Sequence, residues 1–232
     1  MNIKDSVVFI TGANRGLGLA FAQAALAAGA RKVYAAARDP AGVTLAGVVP
    51  VRLEVGNAEE VTAAVRACGD VTLLINNAGI SKGSGLLTSP DAMAAAREEF
   101  DVNFSGPWAL ASAFATVLKA NGGGAIVNVL SALSWVSFPS VATYSASKSA
   151  AWSLTNGLRN ELRGQGTQVV ALHVGYMDTD MTRGLDAPKS SPADVARTTL
   201  EGVEAGAFEV LADDISRQIK KSLSLETPAY AA

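Results

Sequence analysis

The sequence predicts an α/β fold of the doubly wound kind, with one parallel sheet of about seven strands and helices on both faces, in a single domain over residues 1–232. Three observations carry this expectation. Short, wholly apolar runs alternate along the chain with stretches of helical character, as in βα units. The first apolar run leads directly into a glycine-rich turn, and the turn leads directly into an alanine-rich helix. With 232 residues, 49% of them hydrophobic, the chain can bury one large core.

The elements follow in order. Residues 6–10 (Ser-Val-Val-Phe-Ile) read as a buried strand. Then comes Thr11-Gly12-Ala13-Asn14-Arg15-Gly16-Leu17-Gly18, followed by a helix to about Ala28 that Gly29 ends. Glycines let the backbone approach a ligand closely, and a helix N-terminus offers free N–H groups and partial positive charge, so this arrangement suits a pyrophosphate. Residues 32–36 read as the second strand, ending at Ala37-Arg38-Asp39. A carboxylate at this strand end would bind a ribose 2′-hydroxyl, whereas an arginine suits a 2′-phosphate. Ala37 stands where the carboxylate is sought and Arg38 follows, with Arg15 as a possible second cation. Asp39 is the competing detail, since it could face the ribose instead.

Too few residues separate Asp39 from Val48 for a full crossover helix, so a loop or single turn is expected. Residues 49–53 read as the third strand, 59–67 as an amphipathic helix, and 73–75 as the fourth strand. That strand delivers Asn76-Asn77-Ala78-Gly79 at its C-terminal end, where such sheets bind ligands. Residues 91–114 form a long helical stretch carrying Asn103, which Gly106-Pro107 should kink. Residues 124–130 are the fifth strand, ending at Ser131. A helix over 144–163, a sixth strand over 168–174, then Gly175 and Thr179, a helix over 192–205 and a short strand over 209–211 complete the pattern.

Composition narrows the function classes. A formal net charge of -2 gives no basic surface for nucleic acid. The one cysteine, Cys68, forms no internal disulfide, and with a single histidine there is no cluster for a metal. No basic start with a long apolar run reads as a secretory signal, and no apolar run spans a bilayer, so a cytoplasmic setting is expected.

Chemistry centres on Tyr144-Ser145-Ala146-Ser147-Lys148. Residues four apart on a helix share a face, so the phenol and the ammonium can point into one space. A fixed ammonium nearby would lower a phenol's pKa and make the pair a proton donor and acceptor for an alcohol or carbonyl. Tyr-x-x-x-Lys on its own equally describes two surface residues of a helix.

Together, Thr11-Gly12-x-x-x-Gly16-x-Gly18, Asn76-Asn77-Ala78-Gly79, Asn103, Ser131 and Tyr144-x-x-x-Lys148 resemble the motifs of the short-chain dehydrogenase/reductase family, in order and over nearly the whole chain. The resemblance implies a Rossmann-type sheet binding NADP(H), with cofactor contacts at Gly12, Asn14, Arg15, Gly16, Leu17, Gly18, Arg38, Glu54, Val55, Asn77, Ala78, Gly79, Tyr144, Lys148, Gly175 and Thr179. It implies Tyr144 as proton donor and Lys148 as its support and as holder of the nicotinamide ribose. Ser131 would orient the substrate carbonyl, Asn103 would hold a water in a proton relay, and Thr179 would bind the carboxamide. It also implies a two-fold contact through the helices carrying Asn103 and Tyr144, hence a homodimer or homotetramer. Glu54 stands where many members carry aspartate, and Val174-Gly175 where they carry Pro-Gly.

Leu133, Trp135 and Tyr176, with Phe138 and Met177, follow strand ends beside the cleft and line either a substrate pocket or the core and its rim. Trp152 lies about 80° around its helix from Tyr144, which suits a helix or subunit contact. His173 ends the sixth strand; a packing or hydrogen-bonding role fits it better than acid–base work that Tyr144 already fills. The expected activity is NADPH-dependent reduction of ketones or aldehydes. The alternatives are a redox sensor that binds NADP(H) without chemistry, or a related enzyme for a 3-oxoacyl thioester or an imine. A sugar epimerase or dehydratase would want more chain after the last strand for a substrate domain. Residues 180–191 should form a short loop over the cleft rather than a pair of lid helices, leaving room for bulky substrates.

Overall fold

The computed structural model describes residues 1–231. All seven strands lie in one parallel sheet in the order β3-β2-β1-β4-β5-β6-β7. They are β1 (Val7–Thr11), β2 (Lys32–Ala37), β3 (Val49–Arg52), β4 (Leu73–Asn76), β5 (Gly124–Val129), β6 (Thr167–His173) and β7 (Glu209–Leu211). The order reverses between β1 and β4, so a crevice opens outside their carboxyl ends, where ligands bind in such sheets.

Both faces of the sheet are covered, which is why β1, β4 and β5 at its centre are mostly apolar, with Thr11, Asn76 and Asn128 the polar exceptions toward their carboxyl ends. On one face Val8, Ile10, Ile75 and Val127 pack against α1 (Gly16–Ala27) and α6 (Pro192–Glu204) through Phe21, Val195 and Leu200. On the other, Val7, Phe9, Leu74 and Ile126 meet α2 (Ala58–Ala67), α4 (Gly106–Ala120) and α5 (Ala142–Leu162) through Val61, Phe114 and Leu158. The predicted loop after β2 contains a single 3-10 turn, Pro40–Gly42. Among the described residues, no helix is long and apolar enough to cross a membrane.

Two elements differ from the sequence reading. The stretch expected as one kinked helix is α3 (Ala92–Phe100), a π turn (Asp101–Ser105) and α4. The Gly106 N–H reaches back to the Asp101 carbonyl, and Pro107 has no N–H to return to Asn103. The bend therefore falls on Asn103 itself, ahead of the Gly-Pro pair. Gly106 also packs against β3's exit, where a β-carbon on it would stand 2.8 Å from Val55 Cγ2. The second difference is α7 (Asp214–Ser222), which the sequence reading did not place. Its N-cap is Asp213, whose carboxylate accepts from the Ser216 N–H at 2.8 Å.

Candidate active site

The glycine-rich turn sits at the reversal of strand order. Gly12 and Gly16 adopt φ of +64° and +53°, a region that disfavours a β-carbon. Gly18 is required for a different reason: a β-carbon on it would stand 2.1 Å from the Gly12 carbonyl oxygen. The close approach brings the start of α1 onto the turn, with Leu17 buried beneath and Asn14 exposed. Arg15, in the N-cap position, makes no side-chain cap, so the first N–H groups of α1 remain for a ligand. The cradle fits a pyrophosphate.

β4 is tied to this turn. The Thr11 hydroxyl accepts from the Asn77 and Ala78 N–H groups at 2.9 Å each, and the Asn77 amide donates to the Thr11 carbonyl at 2.8 Å. Thr11 was not among the expected site residues; a polar residue closing an otherwise apolar strand was its signal. Thr179 lies over the turn from the far side, with its Cγ2 3.4 Å from where a Gly16 β-carbon would be.

At the end of β2, Ala37 is buried and Arg38 is exposed. Arg38 borders a cleft of about 550 Å³ together with Glu54, Ile80, Asp101 and Val102. Asp39 is drawn into the following turn, its carboxylate accepting from the Ala41 N–H at 3.0 Å. Arg15 points elsewhere and pairs with Asp180 at 2.6 Å, an oxygen neighbourhood it shares with Arg183. Glu54 donates its N–H to Glu60 at 2.6 Å, which fixes the bend after β3, and Val55 is buried under α4's start.

Ser131, Tyr144 and Lys148 converge where β5 meets α5. The Ser131 hydroxyl oxygen accepts from the Leu133 N–H at 3.1 Å, which leaves its O–H free on the side of the neighbouring Tyr144 phenol. Lys148 is buried, and its ammonium donates to the Val129 carbonyl at 2.9 Å. It stands 5.7 Å from the centre of the Tyr144 ring. Burial holds Lys148 down to about 8 and pushes Tyr144 up to about 12, against the lowering pull of the neighbouring Ser131 hydroxyl. The sequence reading expected the ammonium to lower the phenol's pKa. In the structure desolvation wins: the buried lysine donates to Val129 and adds no lowering pull on the half-buried phenol.

Asn103 clamps the chain after β4. Its oxygen accepts from the Ile80 N–H at 2.9 Å, and its nitrogen donates to the Ile80 carbonyl and to Ser147 Oγ, each at 2.9 Å. Gly79 closes over this pair: a β-carbon there would lie 3.2 Å from Asn103 Oδ1 and 3.5 Å from Lys148 Nζ. Ser147, inside the Tyr-x-x-x-Lys motif, thus has a task the sequence reading missed.

The remaining expected residues are spread around the rim. Gly175 donates its N–H to Asp213 Oδ2 at 2.6 Å, so α7 holds the chain after β6. Leu133 and Tyr176 are half-buried beside Ser131 and Gly175 in the chain. Trp135 stacks on His173, with ring centres 3.8 Å apart, and meets Trp152 edge-on at 6.2 Å. Phe138 is exposed, and Met177 packs against the core face of α1 and α6. Residues 180–191 carry only a 3-10 turn, Asp180–Thr182.

A parallel sheet with a glycine cradle at its reversal and a serine, tyrosine and lysine beside it defines a dinucleotide-binding oxidoreductase fold. Residues 6–190 match the model of the short chain dehydrogenase family. The chain belongs to that family. Galactitol 2-dehydrogenase (L-tagatose-forming) of Cereibacter sphaeroides is 39% identical over 184 residues, 75% of this chain and 72% of that one. The 3-oxoacyl-(acyl-carrier-protein) reductase FabG of Escherichia coli is 28% identical over 231 residues, 92% of each chain. Among solved structures, a short chain dehydrogenase from Burkholderia cenocepacia J2315 in complex with NADP is 40% identical. It superposes with a TM-score of 0.93, over 97% of this chain and 95% of that one.

Proposed function

We propose that the chain is an NADPH-dependent oxidoreductase that interconverts a carbonyl compound and its alcohol, with Tyr144 as the acid and base. The observation that carries this reading is the convergence of the Ser131 and Tyr144 hydroxyls, with the buried Lys148 ammonium 5.7 Å from the centre of the Tyr144 ring. A protein that only sensed the cofactor would have no use for that pair.

Gly12, Gly16, Gly18 and the first N–H groups of α1 would hold the pyrophosphate, flanked by Asn14, Arg15 and Leu17. Arg38 would take a 2′-phosphate, since Ala37 offers no carboxylate and Asp39 is engaged with Ala41. Glu54 and Val55 would border the adenine, Asn77, Ala78 and Gly79 the riboses, and Gly175 and Thr179 the carboxamide. When bound, the nicotinamide supplies the hydride.

The chain's own residues handle the oxygen. Ser131 and Tyr144 donate hydrogen bonds to the carbonyl oxygen as it becomes negative. Tyr144 then gives it a proton, which the phenol carries because desolvation raises its pKa. Lys148, held on the Val129 carbonyl 5.7 Å from the centre of the Tyr144 ring, would keep a positive charge beside the phenol as it gives up its proton. Asn103 spends its side chain on Ile80 and Ser147, so a relay water would be met by its main-chain carbonyl, for which Pro107 has no N–H.

The two named relatives are a galactitol dehydrogenase that forms L-tagatose and a 3-oxoacyl reductase, which supports the same class of chemistry here. The short loop over the cleft and the flanking Leu133 and Tyr176 favour bulky ketones over small ones. The setting is cytoplasmic and the assembly a homodimer or homotetramer.

The test is NADPH oxidation against a panel of ketones, aldehydes and imines of increasing size, with NADH in parallel. Turnover with bulky ketones is the expected result. Tight NADPH binding with no turnover on any member would favour the redox-sensor reading instead.

A further inference from the structure

His173 is the only histidine in the chain and is wholly buried at the end of β6. Its Nδ1 lies 3.1 Å from the Ser131 carbonyl oxygen. A carbonyl only accepts, so Nδ1 must carry the proton. Trp135, four residues beyond Ser131, stacks on the imidazole face, so ring and hydrogen bond brace the two ends of one short turn. At the far edge of the ring, Nε2 has no hydrogen-bond partner among the described residues; Glu209 stands 3.6 Å away and is held at 3.0 Å by Lys220.

We propose that His173 is a positioning residue for Ser131: its Nδ1–H holds the Ser131 carbonyl and thereby sets the angle at which the Ser131 hydroxyl meets Tyr144 and the substrate oxygen. The inference rests on the role given to Ser131 above. Burial keeps the imidazole down to about 4, so the ring stays neutral and the contact persists through the working pH range. Ser131 leaves β5 just there, and among the described residues its own N–H finds only the Ser134 hydroxyl, at 3.4 Å; its carbonyl is held jointly, by the Ser134 N–H at 2.9 Å within the turn and by His173 from outside it. A displacement of under an ångström at an oxygen that must meet a developing charge is enough to slow a reaction.

Two measurements test this. With one histidine, the imidazole 15N spectrum of the whole protein reports a single ring; the Nδ1–H tautomer, unchanged from pH 6 to 8, is expected, and the Nε2–H tautomer would overturn the proposal. The second is turnover of His173→Asn, His173→Gln and His173→Leu, alone and with Ser131→Ala, alongside NADPH affinity and melting temperature. Asparagine places its amide near the Nδ1 position and glutamine does not. His173→Asn should keep most of kcat, while His173→Gln and His173→Leu should lose roughly 10- to 100-fold with NADPH affinity unchanged. In the Ser131→Ala background the same changes should cost nothing more. Equal losses for asparagine and glutamine, or losses that simply multiply with that of Ser131→Ala, would show that His173 only packs. Should His173→Leu fail to fold, the asparagine and glutamine pair still decides. Full activity of Ser131→Ala alone would bring down the proposed function rather than this inference.

Discussion

The Lys148 ammonium donates to the Val129 carbonyl at 2.9 Å, one turn along α5 from the tyrosine it was expected to serve directly. That bond places a buried cation at the end of β5, and it has a consequence for stability. Lys148 is held down to about 8, against 10.5 for an ordinary lysine. Below pH 8 the lysine is charged in both states, and burying the charge costs stability. Between about 8 and 10.5 the unfolded chain binds the extra proton, so stability rises with pH across that window. Tyr144 works in the opposite sense, but only from 10 to about 12, where the unfolded phenol ionises first. Lys148→Met should remove the rise, worth at most about 3 kcal/mol. Melting temperatures of the two proteins from pH 7.5 to 10 measure it; parallel curves would show that the lysine is not held down.

Arg38 stands free at the cleft while Arg15 is paired with Asp180. Arg38→Asp should therefore weaken NADPH roughly 10- to 100-fold, the effect of one or two charge-assisted hydrogen bonds to a phosphate, and leave NADH nearly unaffected. Arg15→Ala should cost less. Titration of each variant with both cofactors gives the comparison, and equal weakening of NADPH and NADH by Arg38→Asp would contradict the assignment.

Met93 on α3 and Trp108 on α4 are 69% and 52% exposed, and Phe104 stacks toward Trp108 at 5.8 Å. An apolar strip of this kind on neighbouring helices suits a self-complementary contact. Light scattering at micromolar concentration should give a dimer or tetramer mass, reduced by Trp108→Glu. A monomer mass for the unaltered protein would rule the contact out.

Where an interaction is local in sequence, the sequence shows it. Gly12, Gly16 and Gly18 are legible because strand, turn and helix are contiguous, and Tyr144 with Lys148 because four residues make one turn of helix. The largely apolar runs of the central strands are legible because a doubly covered sheet centre leaves no polar face, whereas the edge strand β3 is Val-Pro-Val-Arg and mostly exposed. What stays hidden depends on distant partners. Asp180 lies 165 residues from Arg15, and Asp213 lies 38 from the Gly175 N–H it accepts. No spacing rule connects them. The placement of the bend at Asn103 rests on the Gly106 N–H reaching back to the Asp101 carbonyl, a π turn that the Gly-Pro pair alone does not announce. Helix α7 is the exception that could have been read: Asp213 and Ser216 form a capping box, and Lys220 and Lys221 fill the last turn.

The central claim is that Tyr144 moves the proton. Tyr144→Phe removes one hydroxyl and keeps the ring that packs beside Lys148. Steady-state turnover of this variant, on a ketone the unaltered protein reduces, should fall at least roughly 100-fold, with NADPH affinity from cofactor fluorescence preserved. Turnover within a few-fold of the unaltered protein, at the same cofactor affinity, would contradict the account.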